Sequence, residues 1–172
     1  MDFLELASKR YSVRKFKQEP ICETEIKEIL KASHLAPTGK NTQPQRILIL
    51  NEKETLDKLK ECTKCHFDAP LAMLVCADND DCYIRPYDQK YGAEIDATIV
   101  ATYMMLKAEE MGIGSTWVMH YNPEKMREAF SVPENYEITA LLVMGYPDET
   151  SKPSPLHFEF DDEENLVFYN KF

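Results

Sequence analysis

The chain is poor in glycine, with only five in 172 residues, and has a single tryptophan. Neither a Gly-x-Gly-x-x-Gly fingerprint nor a Walker-type phosphate loop is present, so no glycine-rich turn marks a dinucleotide or nucleoside triphosphate site. No apolar run reaches the roughly 18 residues a membrane helix needs, which argues against a membrane-spanning chain. Met1 to Arg10 contains no basic stretch leading into a long apolar core, so the expected location is the cytoplasm. Five cysteines (Cys22, Cys62, Cys65, Cys76, Cys82) are an odd count without an export signal, and reduced thiols are the expectation. Excess positive charge is also missing. The net charge of −10 excludes duplex nucleic acid as an expected partner, because neutralising phosphates takes clustered Lys and Arg.

About half of that negative excess sits in the tail. From Asp148 onward, Asp148, Glu149, Glu159, Asp161, Asp162, Glu163 and Glu164 face only Lys152 and Lys171. What remains is an ordinary globular composition, 44% hydrophobic and 29% charged, of a length that suits one domain over residues 1–172.

Hydrophobic spacing gives the element order. Asp2 caps a short helix through Lys9, and Ile26, Ile29, Leu30 and Leu35 mark a second helix stopped by Pro37 and Gly39. Ile47–Leu50 suits a buried strand, Glu52–Cys62 a helix and Leu71–Ala77 another strand. Asp78–Asp88 is polar and irregular. Ala93–Met111 is a long helix apolar around much of its circumference, ended by Gly112. Such a helix is either the centre of the core or a subunit interface. Ser115–Met119 reads as a strand, Asn122-Pro123 as the start of a helix to Phe130, and Ile138–Met144 as a buried strand. The fold class is α+β. Three prolines between Pro147 and Pro155 give 147–172 the character of an extended C-terminal arm reaching a partner.

Four segments have chemical potential. In an extended Arg10-Tyr11-Ser12-Val13-Arg14, alternation puts Arg10, Ser12 and Arg14 on one side, where two guanidinium forks and a hydroxyl suit a phosphate. The plain alternative is that the arginines complement a helix C-terminus. Ala36-Pro37-Thr38-Gly39-Lys40-Asn41-Thr42-Gln43-Pro44 is dense in amides and hydroxyls, and Asn41 and Gln43 could read the alternating donor and acceptor edge of a flat heterocycle. A turn held by its own side chains explains it as well. Gly112-Ile113-Gly114-Ser115-Thr116-Trp117 permits close backbone approach to a ligand, or is simply a helix stop. Cys62-Thr63-Lys64-Cys65 has the spacing of a dithiol or half a zinc site, but a second pair is missing and no metal is expected.

In this order the segments resemble the nitroreductase family across about Phe3 to Phe172. Arg10–Phe16 resembles its amino-terminal phosphate-binding motif, Ala36–Pro44 its next loop and Met111–Trp117 its helix-to-strand segment. Lys152-Pro153-Ser154-Pro155-Leu156-His157 resembles the late motif that returns to the phosphate. The resemblance implies a nitroreductase-like α/β/α sandwich with a central, mainly antiparallel sheet. It also implies an intertwined homodimer with FMN at the interface, held by residues of both chains. On these grounds the expected cofactor-binding residues are Arg10, Tyr11, Ser12, Arg14, Pro37, Thr38, Asn41, Gln43, Gly114, Ser115, Trp117, Lys152 and His157. NADH or NADPH would reduce the flavin, and a small-molecule electron acceptor, nitroaromatic or quinone, would reoxidise it, with no obligatory side-chain acid. Lys152 stands where relatives commonly carry Arg, and little chain between Cys82 and Tyr91 is left for a large lid. A dehalogenase or flavin-fragmenting relative, an FMN-storage or sensing protein, and a thiol or zinc module are the alternatives.

Overall fold

The structure, a computed structural model, describes residues 2–172. Helix α1 (Phe3–Lys9) is capped by Asp2, whose carboxylate accepts from Glu5 N at 2.9 Å. Helix α2 (Glu23–Leu35) leads through a single 3-10 turn to strand β1 (Gln45–Leu50), and α3 (Lys53–Cys62) leads to β2 (Leu71–Asp78). The long helix α4 (Ala93–Glu110) is followed by β3 (Gly114–Val118), α5 (Pro123–Phe130) and β4 (Tyr136–Gly145). Beyond these the chain forms only one 3-10 turn and the short α6 (Glu163–Leu166). Among the described residues no helix is long and apolar enough to cross a membrane.

The strands form one sheet in the order β1-β2-β4-β3, every pair antiparallel. β2 is buried along its whole length because it lies inside the sheet and is covered on both faces. Its alternation divides the core into two layers. Leu71, Met73, Val75 and Ala77 pack with Ile26 and Ile29 of α2 and Val100 and Met104 of α4. Ala72, Leu74 and Cys76 pack with Leu59 of α3 and Met126 of α5. Two helices on each face make the α/β/α sandwich, and each fully buried Leu or Met contributes roughly 1.5–3 kcal/mol by leaving water.

One irregularity was invisible in the apolar run of β4. Val75 pairs with Ala140 while Cys76 pairs with Ile138, so Thr139 is an extra residue bulged out of the ladder. The bulge turns Ile138 into the α3 and α5 layer although Ala140, two residues on, faces α2 and α4. The Thr139 hydroxyl is buried with no hydrogen-bond partner. Thr139→Val keeps the shape and removes that cost, so it should raise stability by about 1 kcal/mol in urea unfolding. A loss of stability would mean that the hydroxyl is satisfied in solution.

Candidate functional site

The first corner of the site is built where the chain leaves α1. From Arg10 onward the backbone is extended, and Val13 is wholly buried beside the half-buried Tyr11 in the α3 and α5 layer. Arg10, Ser12 and Arg14 therefore point the other way, as alternation requires. Ser12 pairs in parallel with Ser115, Val13 N donates to Ser115 O at 3.0 Å, and Thr116 Oγ1 donates to Val13 O at 2.5 Å. This fit explains Gly114: a Cβ there would lie 2.5 Å from Val13 Cγ2. The glycine serves the docking of 12–16 on the β3 edge, a role its sequence context did not reveal.

The late segment returns to the same corner. Asp148 N donates to Lys15 O at 3.0 Å, and Tyr11 OH donates to Ser151 Oγ at 3.1 Å, which brings the neighbouring Lys152 to this edge. His157 sits 3.2 Å from Ser8 O, with its ring edge-on to Tyr11. Among the described residues, none of the ion pairs involves Arg10, Arg14 or Lys152. Three cations without carboxylate partners in so acidic a chain leave a local positive field. The half-buried Glu109 has its pKa raised by burial, and the charge of Arg10 opposes that rise. The Ser115 hydroxyl is buried and unpartnered. Trp117 is absorbed largely by packing against the α2 and α4 layer.

The second corner is the loop before β1. Lys40, Asn41 and Gln43 all have positive φ (51°, 57° and 51°), a conformation that costs roughly 1–3 kcal/mol per residue outside glycine. Several interactions hold it. Both carboxylate oxygens of the buried Asp96 accept from Gly39 N at 3.0 Å, and Thr38 Oγ1 accepts from Gln43 N at 3.1 Å. Behind the loop, Pro44 O accepts from Asp78 N, and Asp78 is bound by Arg46 at 2.9 Å and Asn135 at 3.0 Å. Asn41 and Gln43 remain exposed beside Pro37, while Thr42 Oγ1 and Gln45 Oε1 are buried without partners. Sequence reading missed Asp96, Asp78 and Arg46. An acid in a first helical turn reads only as a response to the helix dipole.

The two corners do not meet within one chain. Gln45, next to the loop, pairs with Ala77, whereas Ser12 pairs with Ser115, which faces Met144 and through it Leu71. The offset is six residues along β2, roughly 20 Å, and four strand spacings across the sheet, roughly 19 Å. Helix α4 gives the same picture, since Asp96 near its start holds the loop and Glu109 near its end senses Arg10.

At the Val118 end of β3 a groove of about 660 Å³ is lined by Cys62, Lys64, His120, Tyr121 and Lys125 among others. Cys62 in this groove and Cys65, close to it in sequence, are free thiols. Burial raises the pKa of Cys62 and pushes that of Cys76 up to about 11, so both stay neutral at physiological pH. Among the described residues no group of three His, Cys, Asp or Glu is placed to hold a metal ion.

Asp96→Ala should cost about 1–3 kcal/mol by leaving the Gly39 N–H without its acceptor, and should speed amide exchange over Gly39–Gln43. Unaltered exchange in that loop would show that its strained form is held without Asp96.

Similarity to known proteins agrees with this geometry. The Nitroreductase family profile matches residues 7–83 and 67–146. A Thermus thermophilus protein named NADH dehydrogenase is 28% identical, the match covering 90% of this chain and 91% of that one. Among solved structures, a nitroreductase family protein of Clostridium difficile 630 superimposes with a TM-score of 0.93 at 39% identity, covering 100% of both chains. An FMN-dependent nitroreductase of Clostridium difficile R20291 superimposes with a TM-score of 0.79 at 28% identity, over 99% of this chain and 100% of that one. With the sandwich, the β3-edge docking and the profile match in agreement, the chain belongs to the nitroreductase family.

Proposed function

We propose that the protein is an FMN-dependent oxidoreductase that draws electrons from NADH or NADPH and passes them to a flat acceptor, nitroaromatic or quinone. The observation that carries this reading is the corner formed by Arg10, Ser12, Arg14 and Lys152, where three cations lack carboxylate partners. A phosphate monoester fits that donor set. Each guanidinium offers a planar fork, the Ser12 hydroxyl a single donor and Lys152 a point charge, with charge-assisted bonds worth roughly 1.5–3 kcal/mol each. At the other corner Pro37 and Thr38 lead into the exposed amides of Asn41 and Gln43, which fit the polar edge of a flavin ring. FMN held by these residues would supply the redox chemistry, hydride uptake from the nicotinamide and two-electron return to the acceptor. The chain's own residues bind and orient the cofactor.

Because the corners are far apart in one chain, the complete site takes Arg10–Arg14 from one protomer and the Pro37–Gln43 loop from its partner. A homodimer with antiparallel α4 helices brings the start of one helix to the end of the other and so closes two equivalent sites. Helix α4 supports this arrangement. Its buried residues Ala97, Val100, Ala101, Met104 and Ala108 occupy one side, and away from them the helix exposes Ile95 and Tyr103 beside the half-buried Leu106. The arm is a second apolar surface awaiting cover, with Phe160, Leu166, Phe168, Tyr169 and Phe172 all exposed. It packs on the partner subunit in this assembly.

Purified protein supplied with FMN should bind it and lose the absorbance band near ~450 nm on anaerobic titration with NADH or NADPH. Arg14→Ala should remain folded and lose flavin. Retention of stoichiometric FMN would overturn the phosphate assignment. Tyr103→Glu, placed on the uncovered face of α4, should give a folded monomer that binds little FMN. A monomer with full FMN occupancy would overturn the shared site.

A further inference from the structure

Cationic side chains also converge at a place the flavin reading does not use. Lys60 lies in the last turn of α3, Lys64 in the turn that follows and Lys125 in the first turn of α5. With His120 they line the groove of about 660 Å³ beyond the Val118 end of β3. Lys64 and Lys125 are far apart in sequence, and hydrogen bonds between the two segments bring them to one floor. Asn122 N donates to Cys62 O at 2.9 Å, and Thr63 Oγ1 donates to His120 O at 2.5 Å while accepting from Cys65 N at 2.9 Å. Thr63 is buried, so the backbone that carries Lys64 is anchored on both sides of it. The floor is preformed, and what projects from it is charged.

Little in the groove neutralises that charge. Lys60 is paired with Asp57 and Asp68, neither of which lines the groove. Lys64 and Lys125 are exposed, and among the described residues neither takes part in an ion pair. Among the described residues Glu61 is the one acid of the lining. The charge of Lys125 reaches the groove wall, where it opposes the rise that burial imposes on the Cys62 pKa. A cleft concentrates the field of the charges that line it, so this spot attracts anions although the chain carries −10 overall. Ammonium groups act as point charges that reward the amount of charge on a ligand more than its plane. A diphosphate carries more charge on neighbouring oxygens than any carboxylate does.

We propose that this groove binds a diphosphate group, free or borne by a nucleotide, with Lys64 and Lys125 on its oxygens and Lys60 and His120 at its edge. The site is separate from the Arg10–Arg14 corner, whose cations point away from the α3 and α5 layer. It stays open in the proposed dimer, because α4 lies on the other face of the sheet. The inference does not rest on the flavin reading.

The test follows the imidazole proton resonances of the four histidines in full-length protein supplied with FMN, at constant ionic strength, as pyrophosphate or ADP is added. Both ligands should shift His120 saturably and leave His34 in place. Lys64→Ala combined with Lys125→Ala should weaken that binding about 10-fold or more. Tighter binding of ADP assigns the groove to a nucleotide, and tighter binding of pyrophosphate assigns it to the free ion. Sulfate acting as well as pyrophosphate would overturn the proposal, because the groove would then read charge alone. Unchanged affinity in the double variant would overturn it too, as would a response of His157 with His120 unmoved, which places the anion at the Arg10–Arg14 corner.

Discussion

The length of α4 is the constraint on which the site depends. Eighteen residues make a rod of about 27 Å, and its two ends do different work. Near the start, Asp96 turns a buried carboxylate towards the Gly39 amide and holds a backbone that would otherwise relax. Near the end, the chain stops at Gly112, reverses into β3 and offers Ser115 as the docking edge for Ser12 and Val13. The same helix fills the core beneath β2 and β4 with Val100, Ala101 and Met104. Core packing therefore fixes the distance between the Arg10–Arg14 corner and the Pro37–Gln43 loop, and on the proposed reading that distance is too large for one chain to hold the cofactor alone.

Much of the architecture was legible because burial imposes period. β2 and β4 read as strands from their continuous apolar runs, and their observed ends differ from expectation by no more than two residues. Ala93–Met111 read as a helix that needed cover on several sides, and the structure gives the reason: one face is core and the opposite face carries uncovered apolar residues. The alternation expected of Arg10, Ser12 and Arg14 has its physical counterpart in Val13, between Ser12 and Arg14, which is a core residue. Period says which face a residue occupies. It says nothing of which edge of the sheet a segment joins, so the separation of the two corners could not be read from spacing.

What escaped the sequence was held by single contacts without repetition. Asp96 differs from an ordinary first-turn acid only through its hydrogen bonds to Gly39. The bulge at Thr139 lies inside an unbroken apolar run and shows itself only as a change of register against Val75 and Cys76. The pairing of Ile84 with Tyr91 was hidden by Pro86 and by the charged Arg85 and Asp88, which break any alternation. Gly114 drew attention as a possible ligand contact, yet its lack of a side chain is accounted for by Val13.

Strain and assembly are linked through the same helix. Three consecutive-neighbourhood residues in left-handed conformations, Lys40, Asn41 and Gln43, persist only where their surroundings hold them, and Asp96 is the chief restraint on the loop they form. In the proposed dimer the restraint on one site and the phosphate corner of the other stand at opposite ends of a single α4. A tilt or shift of that helix at the interface would move the loop of one site and the β3 docking edge of its twin together. The two sites are then geometrically dependent without touching, because a packed helix transmits displacement along its axis more readily than it bends. In that proposed dimer the exposed side of α4 would do more than hold two chains together: its packing would set how closely each loop approaches the cations of the partner.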